Sequence, residues 1–172
     1  MACELGRLKI EPLTAQTFAQ FGEVIEIKNR DYSIINNGMA RRYHKLAVTD
    51  VNDEDGNAVI SIFKAKLPSY PFTIKVLERH PLGTQAFIPL DGNPFLIIVA
   101  PKGDFPTLSQ SRAFVTNGHQ GVNYFKGVWH HPLLTLVEGD QLLVVDRDGK
   151  GSNCETVIFD KDLVELHLAD IP

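Results

Sequence analysis

Apolar and polar side chains alternate with a period of two along much of this chain. Residues 59–64 and 72–77 alternate, and 85–88 is a shorter stretch of the same kind. Residues 95–100 form a continuous apolar run, the pattern of a strand buried on both faces. Residues 112–116, 121–125, 133–137 and 141–145 continue the series, with Glu138-Gly139-Asp140 placed to turn a hairpin between the last two. Near the N-terminus Thr14 suits the cap of a short helix with Phe18 and Phe21 on one side, ended by Gly22 and followed by a strand at 24–27. Asn36-Asn37-Gly38 signals a turn, 53–57 a polar loop, and 163–168 reads as a terminal strand or short helix.

Many short strands separated by Gly, Pro and Asn predict a mainly β protein, a sandwich or barrel with a short N-terminal helix. The 172 residues show no repeat and no linker, so residues 1–172 are expected to form a single domain. A 44% hydrophobic content is enough for a core. The formal charge of −4 leaves no basic footprint for nucleic acid and no polybasic patch for a membrane surface. The longest apolar run is far short of a membrane span, and the N-terminus carries charge where a signal peptide is apolar, so a cytoplasmic protein is expected. Cys3 and Cys154 make no zinc spacing and no redox pair, and are expected to be reduced thiols.

The candidate chemistry is in two stretches. Cupin barrels often carry His-x-His, four residues, then Glu, projecting inward to hold a metal; here that spacing is filled by Glu78, His80 and Gln85. A second cupin motif, Gly-x-x-His, is met by Gly127-Val128-Trp129-His130. Glu78, His80, Gln85 and His130 are therefore candidate ligands of one weakly held divalent ion, or members of a metal-free polar pocket. Successive strand residues point to opposite faces, so only one of His130 and His131 enters the interior; the spacing selects His130 and leaves His131 outside, at a rim or subunit contact. Glu78 and His80 share a face, and a carboxylate beside an imidazole favours both charged forms, which would poise His80 or His130 near neutrality.

Two further sets are candidate substrate contacts. Arg42-Tyr43-His44, preceded by Asn36 and Asn37, offers amides and a guanidinium fork suited to a small carboxylate, or else a solvated turn and charged strand. Asn123 and Tyr124 are placed at the pocket mouth, or belong to a structural turn with their flanking glycines. Asp146-Arg147 and Asn153-Cys154 read as a loop held by local hydrogen bonds, with no chemistry. There is no phosphate-binding glycine loop, no nucleophile elbow and no stacking platform for bases.

Taken together, Ile35-Asn36-Asn37-Gly38, Arg42-Tyr43-His44, the run from Leu77 through Glu78-Arg79-His80-Pro81-Leu82-Gly83-Thr84-Gln85 to Pro89, Asn117-Gly118 with Gly121-Val122-Asn123-Tyr124, and Val128-Trp129-His130-His131-Pro132 resemble the ureidoglycolate lyase family. The resemblance implies a cupin-like double-stranded β-helix (a jelly-roll barrel), usually a homodimer. It also implies cleavage of (S)-ureidoglycolate to glyoxylate and urea in allantoin degradation, stimulated by nickel without an obligatory cofactor. Such a substrate carries a hydroxyl and a ureido nitrogen on one carbon, next to a carboxylate. Its cleavage needs a base, an acid and a cation for the carboxylate. Glu78 or a histidine suits the base, His80 or His130 the acid, and an Arg or a metal the cation. The competing readings are a metal cupin of another type acting on a small acid, and a ligand-sensing cupin module. Gln85 in the Glu position counts against a tight iron site in the first, and no helix-turn-helix segment fits the second.

Overall fold

The computed structural model describes residues 5–172, so Cys3 lies outside the described residues. In chain order the elements are β1 (Gly6–Arg7), β2 (Ile10–Pro12), α1 (Ala15–Phe18), β3 (Gly22–Ile25), β4 (Ser33–Ile35), β5 (Ala40–Arg42), β6 (Asn57–Lys64), β7 (Phe72–Ile74), β8 (Val76–Arg79) and β9 (Gln85–Pro89). There follow β10 (Phe95–Ala100), β11 (Arg112–Val115), β12 (Gly121–Tyr124), β13 (Trp129–His130), β14 (Leu134–Thr135), β15 (Gln141–Asp148), β16 (Glu155–Ile158) and β17 (Val164–Leu166). The protein is mainly β, as its alternation predicts.

Two large sheets carry the fold. One runs β16-β8-β13-β10-β11-β2, with β14 also paired to β10; the other runs β3-β12-β9-β15-β6. Both keep free edges, so the hydrogen bonding does not close into the expected barrel. Between the sheets lies one apolar cluster: Val24, Phe87, Val122, Tyr124, Leu142 and Val144 from the five-stranded sheet meet Phe95, Ile97, Val99 and Phe114 from the other. The opposite face of the seven-stranded sheet presents Leu77, Leu96, Ile98, Ala100, Ala113 and Trp129 to a second cluster. Ile74 and Leu166, from a smaller sheet ordered β1-β17-β7, cover it. β10 is thus buried on both faces, which is why its sequence is apolar without alternation.

Thr14 caps α1, its side chain accepting from the Thr17 amide, and Phe18 and Phe21 are fully buried. The helix is one turn and ends before Gly22, which opens β3. The single strand expected at 72–77 is two. The chain turns at Lys75, so that Ile74 and Leu77 reach the same cluster from different sheets. The hairpin expected at Glu138-Gly139-Asp140 does not form: β14 pairs with β10, and β15 with β6 and β9. That turn carries the chain from one sheet to the other, held by Gly139 N–H to the Ala65 carbonyl and Ala65 N–H to the Asp140 carbonyl. Of the two alternatives for 163–168 the strand forms, as β17, and a 3-10 turn at Leu168–Asp170 follows it.

Candidate active site

The space between the sheets is apolar along most of its length and polar at one end. On β8, Leu77 faces the outer cluster, so Glu78 faces inward; on β13, Trp129 faces outward and His130 inward. His130 stands directly opposite Glu78 in the β13–β8 register. His80, two residues beyond Glu78, joins them from the end of β8. The ligand atoms of Glu78, His80 and His130 all lie within 4.8 Å of one another. Glu78 Oε1 is 3.9 Å from His80 Nε2 and 3.7 Å from His130 Nε2, and the two imidazole centres are 5.2 Å apart.

The backbone sets the tautomers. His80 Nδ1 donates to the Asn153 carbonyl at 2.6 Å, and His130 Nδ1 to the Val128 carbonyl at 3.0 Å. A carbonyl can only accept, so each Nδ1 bears a proton. Both Nε2 atoms are buried and have no hydrogen-bond partner. Histidines anchored through Nδ1–H to backbone oxygens, with Nε2 directed at a shared carboxylate, are arranged as metal ligands are.

Burial, with the neighbouring His80 second, pushes the pKa of His130 down to about 3, against the opposing pull of the Val128 hydrogen bond. Of the two histidines expected to sit near neutrality beside Glu78, His130 is therefore corrected: burial holds it neutral, and it is an acceptor at pH 7. Tyr124 stacks on it with ring centres 4.4 Å apart and planes within 10°. Burial first, and the charge of Glu78 second, raise the Tyr124 hydroxyl pKa, so it stays protonated.

The five-stranded sheet supplies the facing wall. Gln85 stands opposite Tyr124 in the β12–β9 register and is buried. Its Nε2 donates to Asp146 Oδ2 at 3.4 Å, and its carbonyl oxygen is buried without a partner. Gln85 and His80 line one cavity of about 260 Å³ together with Thr84, Asp146, Arg147, Asn153 and Cys154. A larger cleft, about 760 Å³, is lined by Leu13, Lys28, Arg30, Asn117 and Gln120 among others, but it holds none of the Glu78, His80 and His130 ligand atoms and so lacks their chemistry.

Other expected residues fall elsewhere. His131 faces away from Glu78 but is not at a rim: it is buried, its ring set edge-on to Phe72 with centres 5.3 Å apart, and burial lowers its pKa. Asn123 and Tyr124 point to opposite faces of β12. Only Tyr124 reaches the site, while Asn123 donates to Glu23 Oε2 and the Val48 carbonyl. Asn36, Asn37 and Arg42 sit on the β4–β5 hairpin, with Tyr43 and His44 just beyond it; none lines the cavity. On this arm Arg42 Nη2 lies 3.0 Å from His44 Nδ1, and Ile34 and Met39 are exposed.

Asp146, Arg147, Asn153 and Cys154, which read in the sequence as a loop without chemistry, border the site. Asn153 anchors His80 by its carbonyl and accepts from the Leu82 amide by its side chain. Asp146 orients Gln85. Cys154 is a free, exposed thiol with Sγ 3.9 Å from Glu78 Oε2. Arg147 underlies the turn from His80 to Gln85, where a Cβ on Gly83 would come within 2.8 Å of its own. Its guanidinium is occupied by the carbonyls of Asp53, Glu54 and Lys150.

Fold and site together define a small, mainly β enzyme with two histidines and a carboxylate gathered between its sheets. The sequence model of the ureidoglycolate lyase family matches residues 5–166. Ureidoglycolate lyase of Pseudomonas paraeruginosa is 59% identical over 155 residues, covering 90% of this chain and 92% of that protein. Those of Pseudomonas fluorescens and Stutzerimonas stutzeri are 57% and 56% identical over 90% of the chain, covering 93% and 91% of their own lengths. The chain belongs to the ureidoglycolate lyase family.

Proposed function

We propose that the protein cleaves (S)-ureidoglycolate to glyoxylate and urea, a step of allantoin and purine breakdown. The observation that carries this reading is the pair of buried, unpartnered Nε2 atoms of His80 and His130 facing Glu78. The family membership names the substrate.

In the reaction the hydroxyl proton leaves as the carbon–nitrogen bond breaks, the carbon becomes the aldehyde of glyoxylate, and the departing nitrogen gains a proton. No electrons are exchanged with a second reactant. Glu78 accepts the hydroxyl proton, and His80, whose unprotonated Nε2 lies 3.9 Å from that carboxylate and nearer the open cavity than His130, relays the same proton to the departing nitrogen. His130, neutral and stacked on Tyr124, acts through its Nε2 lone pair as a binding atom.

The donor set also fits a divalent ion. When bound it would be held by Glu78, His80 and His130 in place of the proton relay, and the resemblance points to nickel. Such an ion supplies polarisation of substrate oxygens and a counter-charge for the carboxylate. The second role matters because Arg147, the arginine beside the cavity, already directs its Nε and Nη2 to backbone carbonyls.

The same reading takes the chain as one cupin-like jelly-roll domain. The successive crossings of β8 to β9, β9 to β10, β11 to β12, β12 to β13, β14 to β15 and β15 to β16 between the two sheets support it. A cytoplasmic homodimer belongs to the reading, on the family resemblance. The arm bearing Asn36, Asn37, Arg42, Tyr43 and His44 is proposed to contact substrate from outside the cavity, with Asn123 as its support through the Val48 carbonyl. Among the described residues no helix is long and apolar enough to cross a membrane.

Incubation of the purified protein with (S)-ureidoglycolate tests the reading. Urea and glyoxylate should appear in equal amounts. Ammonia as the first nitrogen product would make the protein an amidohydrolase and overturn it.

A further inference from the structure

Asp146 and Gln85 form an acceptor pair that the reaction scheme leaves unused. They occupy adjoining strands of the five-stranded sheet. Val145 of β15 stands opposite Ala86 of β9, so Asp146 is the next position along, beside Gln85. Both share the inward face with Phe87, Leu142 and Val144, and both line the cavity that His80 enters. Asp146 takes the Gln85 Nε2–H on its Oδ2, and its carboxylate accepts no other hydrogen bond among the described residues. With its nitrogen committed to Asp146, the Gln85 amide presents its oxygen to the site, where that oxygen is buried and unpartnered. A buried carbonyl without a donor is costly, and such groups mark places completed by a ligand.

Acceptors without donors select a ligand rich in N–H groups. The two ends of ureidoglycolate differ in this respect: the carboxylate end only accepts, while the ureido end carries one N–H and a terminal NH2. An anionic Asp146 repels the first and binds the second. The cavity of about 260 Å³ falls just below the roughly 300–1,000 Å³ of pockets for drug-sized ligands, which suits a molecule of a few heavy atoms.

We propose that Asp146 and the Gln85 carbonyl receive the N–H groups of the ureido end, and so fix which way round the substrate lies against Glu78, His80 and His130. This rests on the lyase reading and deepens it. In this arrangement Asp146 is a substrate-orienting residue twice over, by its own carboxylate and by holding the Gln85 amide in one orientation. The amide accepts from the ligand instead of donating to it.

Product inhibition of the metal-loaded enzyme separates the two ends. Urea reports on the ureido subsite, and glyoxylate on the carboxylate side. Asp146→Asn should raise the inhibition constant for urea about tenfold or more, the effect of losing a hydrogen bond to a charged acceptor. The constant for glyoxylate should stay within about twofold. Equal changes in both constants, or none in that for urea, would overturn the assignment. Should Asp146→Asn melt early, Asp146→Glu keeps the charge but moves it by one methylene; it should still weaken urea more than glyoxylate, and an equal effect would count against the proposal in the same way. A wild-type enzyme that releases no urea and glyoxylate would fail the lyase reading itself. An active wild type with unselective variants fails only this inference.

Discussion

The two faces of β8 and β13 are built from neighbouring residues and have opposite characters. Inward, His80 and His130 are held by backbone carbonyls beside Glu78 and leave two imidazole nitrogens without partners. Outward, Leu77, Arg79, Trp129 and His131 are fully engaged. The Arg79 guanidinium lies 4.6 Å over the Trp129 ring and bonds Glu155 and the Gly103 carbonyl, Trp129 Nε1–H donates to that same carbonyl, and His131 packs on Phe72. The same strands and in part the same residue types serve packing on one side and chemistry on the other. What distinguishes the inner face is unmet bonding capacity at buried atoms.

That contrast breaks most sharply on the inner face. Glu78→Gln and His80→Ala should each lower turnover about a hundredfold or more, the worth of a positioned acid or base, with the melting temperature little changed. Steady-state kinetics beside thermal melts would show it. A pair of folded variants at near wild-type rates would make the inner face no more chemical than the outer.

The metal is expected to matter less. Chelation should reduce activity only several-fold, the rough expectation for an ion that polarises substrate oxygens in a site with one charged ligand. Gln85→Glu should then tighten divalent-ion binding, since a carboxylate is the better ligand for a hard ion; calorimetry on the chelated protein measures this directly. Complete loss on chelation, restored by one ion alone, would move the metal from an aid to a requirement.

The smallest effects belong outside. Arg79→Ala removes a cation–π contact and a charge-assisted bond from a side chain that is one-fifth exposed, and should cost about 1–2 kcal/mol of stability with turnover unchanged. Denaturant titration reads the loss. An accompanying fall in turnover would couple the two faces.

Much of this contrast is legible in the chain itself. The period of two places Leu77 and Glu78 on opposite faces, and Gly127-Val128-Trp129-His130 selects the inward histidine. The apolar run at β10 announces a strand covered on both sides. The remainder depends on contacts between distant residues. Asn153 anchors a histidine 73 residues away, and Asp146 meets Gln85 across 61 residues; neither spacing is visible until β15 lies beside β9 and β16 beside β8. The pKa of His130 escaped for the same reason, because burial, which dominates it, is a property of the packed sheets. Arg42 and His44 share a local signature with site residues, yet the arm that carries them projects from the sheets. Glu138-Gly139-Asp140 has the composition of a hairpin turn and serves a crossing between sheets.

One comparison bears on the central claim, that chemistry resides on the inner face alone. His130 and His131 are adjacent in sequence, both buried, and differ only in the side of the sheet they enter. Turnover of His130→Ala and His131→Ala, each checked for folding by circular dichroism and thermal melting, should fall about a hundredfold or more for the first. It should stay near wild type for the second, whose loss of packing on Phe72 costs about 1–2 kcal/mol of stability instead. A folded but inactive His131→Ala beside an active His130→Ala would contradict the account.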